Sequence, residues 1–258
     1  MIRTAIRLLL LGMILVGSSS GGAAFAAPDL PPVPVPYSQE DLPFIDQARH
    51  GIASAQCWVA FNLLMGLDLP DDPKTAVLWY KVAAESGSAF AANALGEIYA
   101  SSPYRDMINP AAKVIPANEL EALKWYRLAA EKGYPPAQHS LASILYYGRG
   151  VAVDHKEALA WNQKAAQQGY SPAQASLSSE YEESCGDMPV DPVEAYVWGT
   201  LAKEGDENST ILVNYLQKQL SPDQFAKANQ RIAELRKAFP GGKSFSEMPL
   251  PWEEKKEK

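Results

Sequence analysis

Residues 121–134 read Glu-Ala-Leu-Lys-Trp-Tyr-Arg-Leu-Ala-Ala-Glu-Lys-Gly-Tyr, and the pattern inside that stretch returns along the chain. Ala-x-x-Trp occurs at Ala76 to Trp79, Ala122 to Trp125, Ala158 to Trp161 and Ala195 to Trp198, with 46, 36 and 37 residues between successive tryptophans. In the first copy Ala76, Trp79, Tyr80, Ala83 and Ala84 fall at i, i+3, i+4, i+7 and i+8, one apolar stripe of a helix in which small residues flank a large ring. A glycine then ends the helix, as Gly133 does at 121–134. A repeat of this size is one helical hairpin, which cannot bury its apolar face alone and so stacks on its neighbours. Trp79 and its counterparts are therefore expected in the core.

Aligned on Gly51, Gly87, Gly133 and Gly169, the units reveal a second helix. Ala55, Ala91, Ala137 and Ala173 stand four positions on, Val59, Leu95, Leu141 and Leu177 eight on, and Leu63, Tyr99, Leu145 and Tyr181 twelve on. This is the first helix of each hairpin, and the Ala-x-x-Trp segment is the second. The second helix opens at Asp72, Asn118, Asp154 and Asp191, each able to accept from an unpaired first-turn N–H. Pro73 and Pro192 sit where proline is tolerated, and Glu121, Glu157 and Glu194 complete a pattern resembling a capping box. Repeat two carries ten extra residues between its helices, within 101–115. In that insertion Tyr104 and Arg105 suit a partner interface, whereas Pro103 and Pro110 suit a bulging loop.

The pattern resembles the Sel-one-like repeat family, relatives of the tetratricopeptide arrays. The resemblance rests on Ala-Asn-Ala-Leu-Gly-Glu-Ile-Tyr at 92–99, on Tyr-Tyr-Gly-Arg-Gly-Val-Ala-Val-Asp at 146–154 and on the stretch at 121–134, and it covers roughly residues 48–206. It implies an all-α, α/α superhelical solenoid that acts as an adaptor or scaffold, as in exported bacterial members that regulate sensor kinases or serve envelope machinery. Some exported relatives carry a cysteine pair in each repeat and are linked to β-lactam binding; this chain lacks those pairs.

The ends have their own signatures. Arg3 and Arg7, the apolar run Leu8 to Val16 and the small-x-small sequence Ala24-Phe25-Ala26 read as a signal peptide over 1–26, cut after Ala26, which places the product in the periplasm or outside the cell. Residues 27–42 are a proline-rich linker, read as an extended spacer. The array occupies 43–206, with Pro43 to His50 as a front half-repeat. Capping helices follow over 207–240, where Ser221-Pro222-Asp223-Gln224 starts a helix carrying Phe225, Ala228, Ile232 and Leu235, and 241–258 form a flexible polar tail. The net charge is −7, and losing Arg3 and Arg7 makes the mature chain more acidic, a surface that repels nucleic acid and anionic lipid. No later stretch is apolar for long enough to span a membrane. Cys57 and Cys185, in repeats one and four, are too far apart to bridge and read as separate thiols, one on a helix and one in a loop.

No catalytic motif emerges. His50, His139 and His155 lack metal-ligand spacing, Gly148-Arg149-Gly150 is a turn of the repeat, and Glu97, Glu180 and Glu183 read as solvated helix surface. The expectation is a non-enzymatic scaffold without cofactor or metal. In related arrays the first helix lines the concave face, at offsets six, ten and thirteen from the terminal glycine. The polar positions so chosen are Asn93, Glu97, His139, Ser143, Tyr146, Ser179 and Glu182, a composition for gripping an envelope protein or peptide segment. A cell-wall glycan module, contacting sugar through Tyr146, Tyr104 and Glu97, is the second reading, and a β-lactam hydrolase the third. A pH response of His139 would suit a regulator, but the sequence supports it only through the fact that any unperturbed imidazole titrates near neutrality.

Overall fold

The computed structural model describes residues 30–35, 37–100, 114–183, 190–202 and 209–238. Among them the chain forms eleven helices: α1 (Leu42–Arg49), α2 (Ala53–Met65), α3 (Pro73–Glu85), α4 (Ala89–Tyr99), α5 (Glu119–Glu131), α6 (Pro135–Tyr147), α7 (His155–Gln167), α8 (Ser171–Glu182), α9 (Pro192–Ala202), α10 (Ser209–Gln219) and α11 (Pro222–Ala238). From α1 to α10 each helix packs on the next in sequence, α4 also touches α6, and α9 receives α11 as well as α10. The pairs α2–α3, α4–α5, α6–α7 and α8–α9 are the four expected hairpins of an all-α solenoid. The signal peptide, the polar tail, Tyr104, Arg105 and Cys185 lie outside the described residues. No helix among the described residues is long and apolar enough to cross a membrane.

Two sets of local bonds explain why the sequence folds into these units. At Gly51, Gly87, Gly133 and Gly169 φ lies between 82° and 101°, a left-handed geometry that only glycine adopts without strain. The amide of the next residue then reaches back to a carbonyl near the helix end, Ser88 to Ala83, Tyr134 to Ala129 and Tyr170 to Ala165, which closes the helix and turns the chain into the next first helix. Within each hairpin, Asp72, Asn118 and Asp154 accept the amides of Thr75, Glu121 and Glu157 at 3.1, 3.2 and 2.8 Å, and Asp191 accepts that of Glu194 at 3.1 Å.

The return half of the expected capping box is missing at Asn118, Asp154 and Asp191, for a physical reason. The amides of Asp72, Asn118, Asp154 and Asp191 already donate to the carbonyls of Leu63, Tyr99, Leu145 and Tyr181, at 2.9, 2.8, 3.0 and 2.8 Å. Those carbonyls sit at the end of the first helix and would otherwise be orphaned. One bond thus caps one helix and clamps the other. Asn118 makes it across the ten-residue insertion, so repeat two keeps its frame. Ser221 and Gln224, at the start of α11, form both arms of the box, with bonds of 3.0 and 3.3 Å.

Between repeats, buried glutamines serve as latches. Gln56, Gln138 and Gln174, each five residues after a terminal glycine, donate from Nε2 to the carbonyls of Ala48, Ala130 and Ala166 at 3.2, 3.2 and 3.1 Å. Trp79, Trp125 and Trp198 are buried as expected. Trp161 is not: it stays half-buried, donates to Glu157 at 3.1 Å and lies under the Lys164 ammonium at 3.7 Å. The ring packs against the first core cluster with part of its surface exposed, and the core divides here into one cluster running from Ile45 to Ala158 and another from Ala165 to Leu235.

The proline-rich segment is more than a spacer where it is described. Leu30, Val33 and Tyr37 pack against the first cluster, and the Trp79 indole donates to the Pro32 carbonyl at 3.3 Å. Trp79 has Thr75 one turn earlier, where Trp161 has Glu157, and Thr75 is engaged with Asp72 at 2.7 Å, so the strap supplies the acceptor. At the far end Ala228, Ile232 and Leu235 are buried, and Phe225 meets Tyr196 at 5.6 Å, as a terminal cap requires. Gln138→Ala, which strips the latch from Ala130, is expected to destabilise the fold by about 1–3 kcal/mol, read as a lower midpoint in thermal or urea unfolding; an unchanged midpoint would show that the latch is idle.

Candidate functional site

The site begins with the residue after each repeat tryptophan: Tyr80, Tyr126, Asn162 and Gly199. Tyr126 shows what a tyrosine does there. Its ring lies so close over α4 that a Cβ on Gly96 would come within 2.6 Å of it, and its hydroxyl hydrogen-bonds Glu97 of α4 and Ser140 of α6. The ring therefore fills the space between two successive first helices. Asn162 occupies the same register one repeat on, is itself buried, and is too short to fill the space between α6 and α8. A cleft of about 500 Å³ remains. His139, Ser143, Tyr146 and Tyr147 form its α6 wall, Ala175, Ser176, Ser179 and Glu180 its α8 wall, and Asn162 and Glu183 complete the lining.

Asn162 ties the two walls together. Its Nδ2 donates to Glu180 Oε1 at 2.5 Å, which leaves its Oδ1 to accept from His139 Nδ1 at 3.0 Å and makes His139 the Nδ1-protonated tautomer. Glu180 Oε2 is covered and has no hydrogen-bond partner. Burial of the carboxyl outweighs the Asn162 bond and raises the Glu180 pKa to about 7. The same burial lowers the pKa of His139, again outweighing its bond to Asn162. The expected roles are thus exchanged: the histidine is held neutral, and the glutamate read as solvated surface is the buried group that titrates near neutrality.

The neighbouring side chains set the mouth of the cleft. Tyr146 is half-buried and meets Tyr147 and His155 edge-on at 5.0 and 4.8 Å. Arg149 donates to Ser143 Oγ at 2.6 Å and lies 5.8 Å from the Tyr147 ring. Glu97 exposes much of its side chain, yet its carboxyl is enclosed by neighbours, and this desolvation raises its pKa against the opposing influence of Tyr126 and Arg149. Among the described residues no group of three His, Cys, Asp or Glu could hold a metal ion.

Of the residues chosen from sequence, His139, Ser143, Tyr146 and Ser179 converge on this one cleft. Glu97 belongs to the Tyr126 network one repeat earlier, and Glu182 is half-buried beside the cleft without lining it. Asn93 departs from the expectation. It is only 5% exposed, its Oδ1 has no hydrogen-bond partner, and it offers a partner almost no surface. Cys57, at the matching position of repeat one, is a buried free thiol beside Ser88 whose pKa burial pushes up to about 11. Asn162 and Glu180 were missed. Their signals were a broken Trp-Tyr pair and an acid at offset eleven, where repeats two and three have Ile98 and Ile144.

The Sel1 repeat family model matches residues 53–88, 112–134, 135–170 and 171–206. Among solved structures, a Sel1 repeat protein from Oxalobacter formigenes is 26% identical, with a TM-score of 0.60 over 78% of this chain and 78% of its own. The c5321 protein, a protective antigen present in uropathogenic Escherichia coli strains and displaying an SLR fold, is 27% identical with a TM-score of 0.49 over 84% of this chain; the match spans 50% of that protein's length. No curated protein matches the chain.

Glu180 makes the site measurable in solution. Its folded pKa of about 7 stands above the ordinary 4.5, so the folded state keeps the proton longer, and the stability this group contributes is full below pH 4.5 and declines until pH 7. His139 acts in the opposite sense below its ordinary 6.5, and is common to both proteins in a comparison with Glu180→Gln. The variant should therefore gain on the wild type between those pH values by on the order of 2 kcal/mol and then hold level. Thermal melts from pH 4 to 8 check this, and a gap that does not change with pH would place the carboxyl in solvent.

Proposed function

The chain belongs to the Sel1 repeat family, a family of non-catalytic interaction scaffolds, and from that premise we propose that it is an exported, periplasmic scaffold that grips a protein partner on the face formed by its first helices. The reading is carried by one observation: four polar or aromatic residues at the expected face positions, His139, Ser143, Tyr146 and Ser179, gather around a single cleft between repeats three and four. A groove with an aromatic side chain, hydroxyls and a small number of fixed polar groups is suited to an extended peptide segment or a protein edge. Rigid helices present it, which limits the ordering lost on binding. Arg3, Arg7, the apolar run that follows and the Ala24-Phe25-Ala26 site support export.

Two experiments test this. Photo-crosslinkers placed in cells at His139 and Tyr146 are expected to capture one identifiable envelope protein, while the same groups at Lys124 and Ala160 on the second helices do not; equal capture from both faces would remove the reading. Periplasmic fractions are expected to contain a form beginning at Ala27, which N-terminal sequencing detects. A full-length form confined to the cytoplasm would end the proposed location.

A further inference from the structure

Glu180 is 7% exposed in the wall of the cleft, with one carboxylate oxygen held by Asn162 and the other without a donor. A buried carboxylate oxygen without a hydrogen bond is destabilising, and the donor that compensates it best is cationic, because charge-assisted bonds are shorter and stronger than neutral ones. Asn162 donates from Nδ2 to Glu180 Oε1, and its Oδ1 accepts from His139 Nδ1. Arg149 is directed to Ser143 and lies over Tyr147. None of these three hydrogen-bonds Glu180 Oε2.

The rest of the lining favours the same class of ligand. Glu183 adds a second negative group, the α8 wall carries the neutral hydroxyls of Ser176 and Ser179, and Tyr146 offers an aromatic surface along which an aliphatic stem can lie. The net charge of the chain is −7, which favours cationic partners in general. A sugar hydroxyl could donate to the open oxygen but would bring no compensating charge.

We propose that this cleft receives the ammonium or guanidinium head of a lysine or arginine on an extended segment of the partner protein, with Glu180 as the anchor beneath it and Tyr146 against its stem. This deepens the scaffold reading and rests on it.

The test uses the purified protein and three blocked pentapeptides, Gly-Ser-Lys-Ser-Gly, its arginine counterpart and its Nε-acetyl-lysine counterpart, followed by NMR shifts of the α6 and α8 amides. The lysine and arginine peptides are expected to give saturable shifts around His139, Tyr146 and Glu180, and acetylation to weaken binding by roughly tenfold or more. Glu180→Gln is expected to abolish the preference for lysine over acetyl-lysine, whereas Glu183→Gln retains it. Should the glutamine variant fail to fold, the acetylation arm on the wild type decides alone. Equal binding of the acetylated peptide, shifts away from the cleft, or occupancy by an N-acetylglucosamine oligomer but not by basic peptides would each overturn the cation site. If the basic peptides fail while Tyr146 still captures an envelope protein in cells, the cation site falls and the scaffold stands.

Discussion

The rest of the structure depends on a single backbone hydrogen bond made four times: the amide of the residue that caps each second helix donates to the carbonyl twelve residues after the preceding terminal glycine. It settles two debts of helix geometry together, an unpaired amide ahead of one helix and an unpaired carbonyl at the end of the other. Because both partners are backbone groups, the bond is indifferent to the side chains between them. Repeat two therefore tolerates its insertion, and the same bond closes the hairpin in every repeat.

With the hairpin ends fixed, the contact between the two helices of a hairpin is decided by size matching. In repeats two and four a small residue nine positions after the terminal glycine meets the residue after the tryptophan: Gly96 lies under Tyr126, and Ser178 lies 2.7 Å from the Cβ position of Gly199. When the ring is present, the seam between successive first helices is full. At Asn162 it is absent, and the protein replaces packing with a polar bridge from His139 to Glu180. The half-buried Trp161 and the division of the core fall on the same helix, so the place where the repeat is weakest as a packing unit is also where it offers a cleft. Function in a repeat array is generally found where one unit departs from the pattern that stabilises the others.

The electrostatics of the cleft follow from that departure. Asparagine is short enough to leave room and polar enough to hold an acid and an imidazole in fixed orientations, but it supplies no charge. Burial then works on both titratable groups toward neutrality, lowering His139 and raising Glu180. The outcome is a carboxyl poised near neutral pH with one oxygen uncommitted among protein groups.

Sequence alone determined the period, the all-helical class, the glycine stops, the Asp and Asn caps, the terminal helix beginning at Ser221, and four of the residues that meet in the cleft. These are properties of local backbone chemistry and of helical spacing, so they can be counted along a chain. Tertiary structure decided the rest: that the cap amides bond to the previous helix instead of to Glu121, Glu157 and Glu194, that Trp161 stays half-buried, that the segment around Pro32 docks on Trp79, that Asn93 is buried, and that Asn162 and Glu180 face one another across a seam. Each of those depends on which group reaches an unsatisfied donor, acceptor or space first. That contest is settled between helices, where spacing along the sequence carries no record of distance.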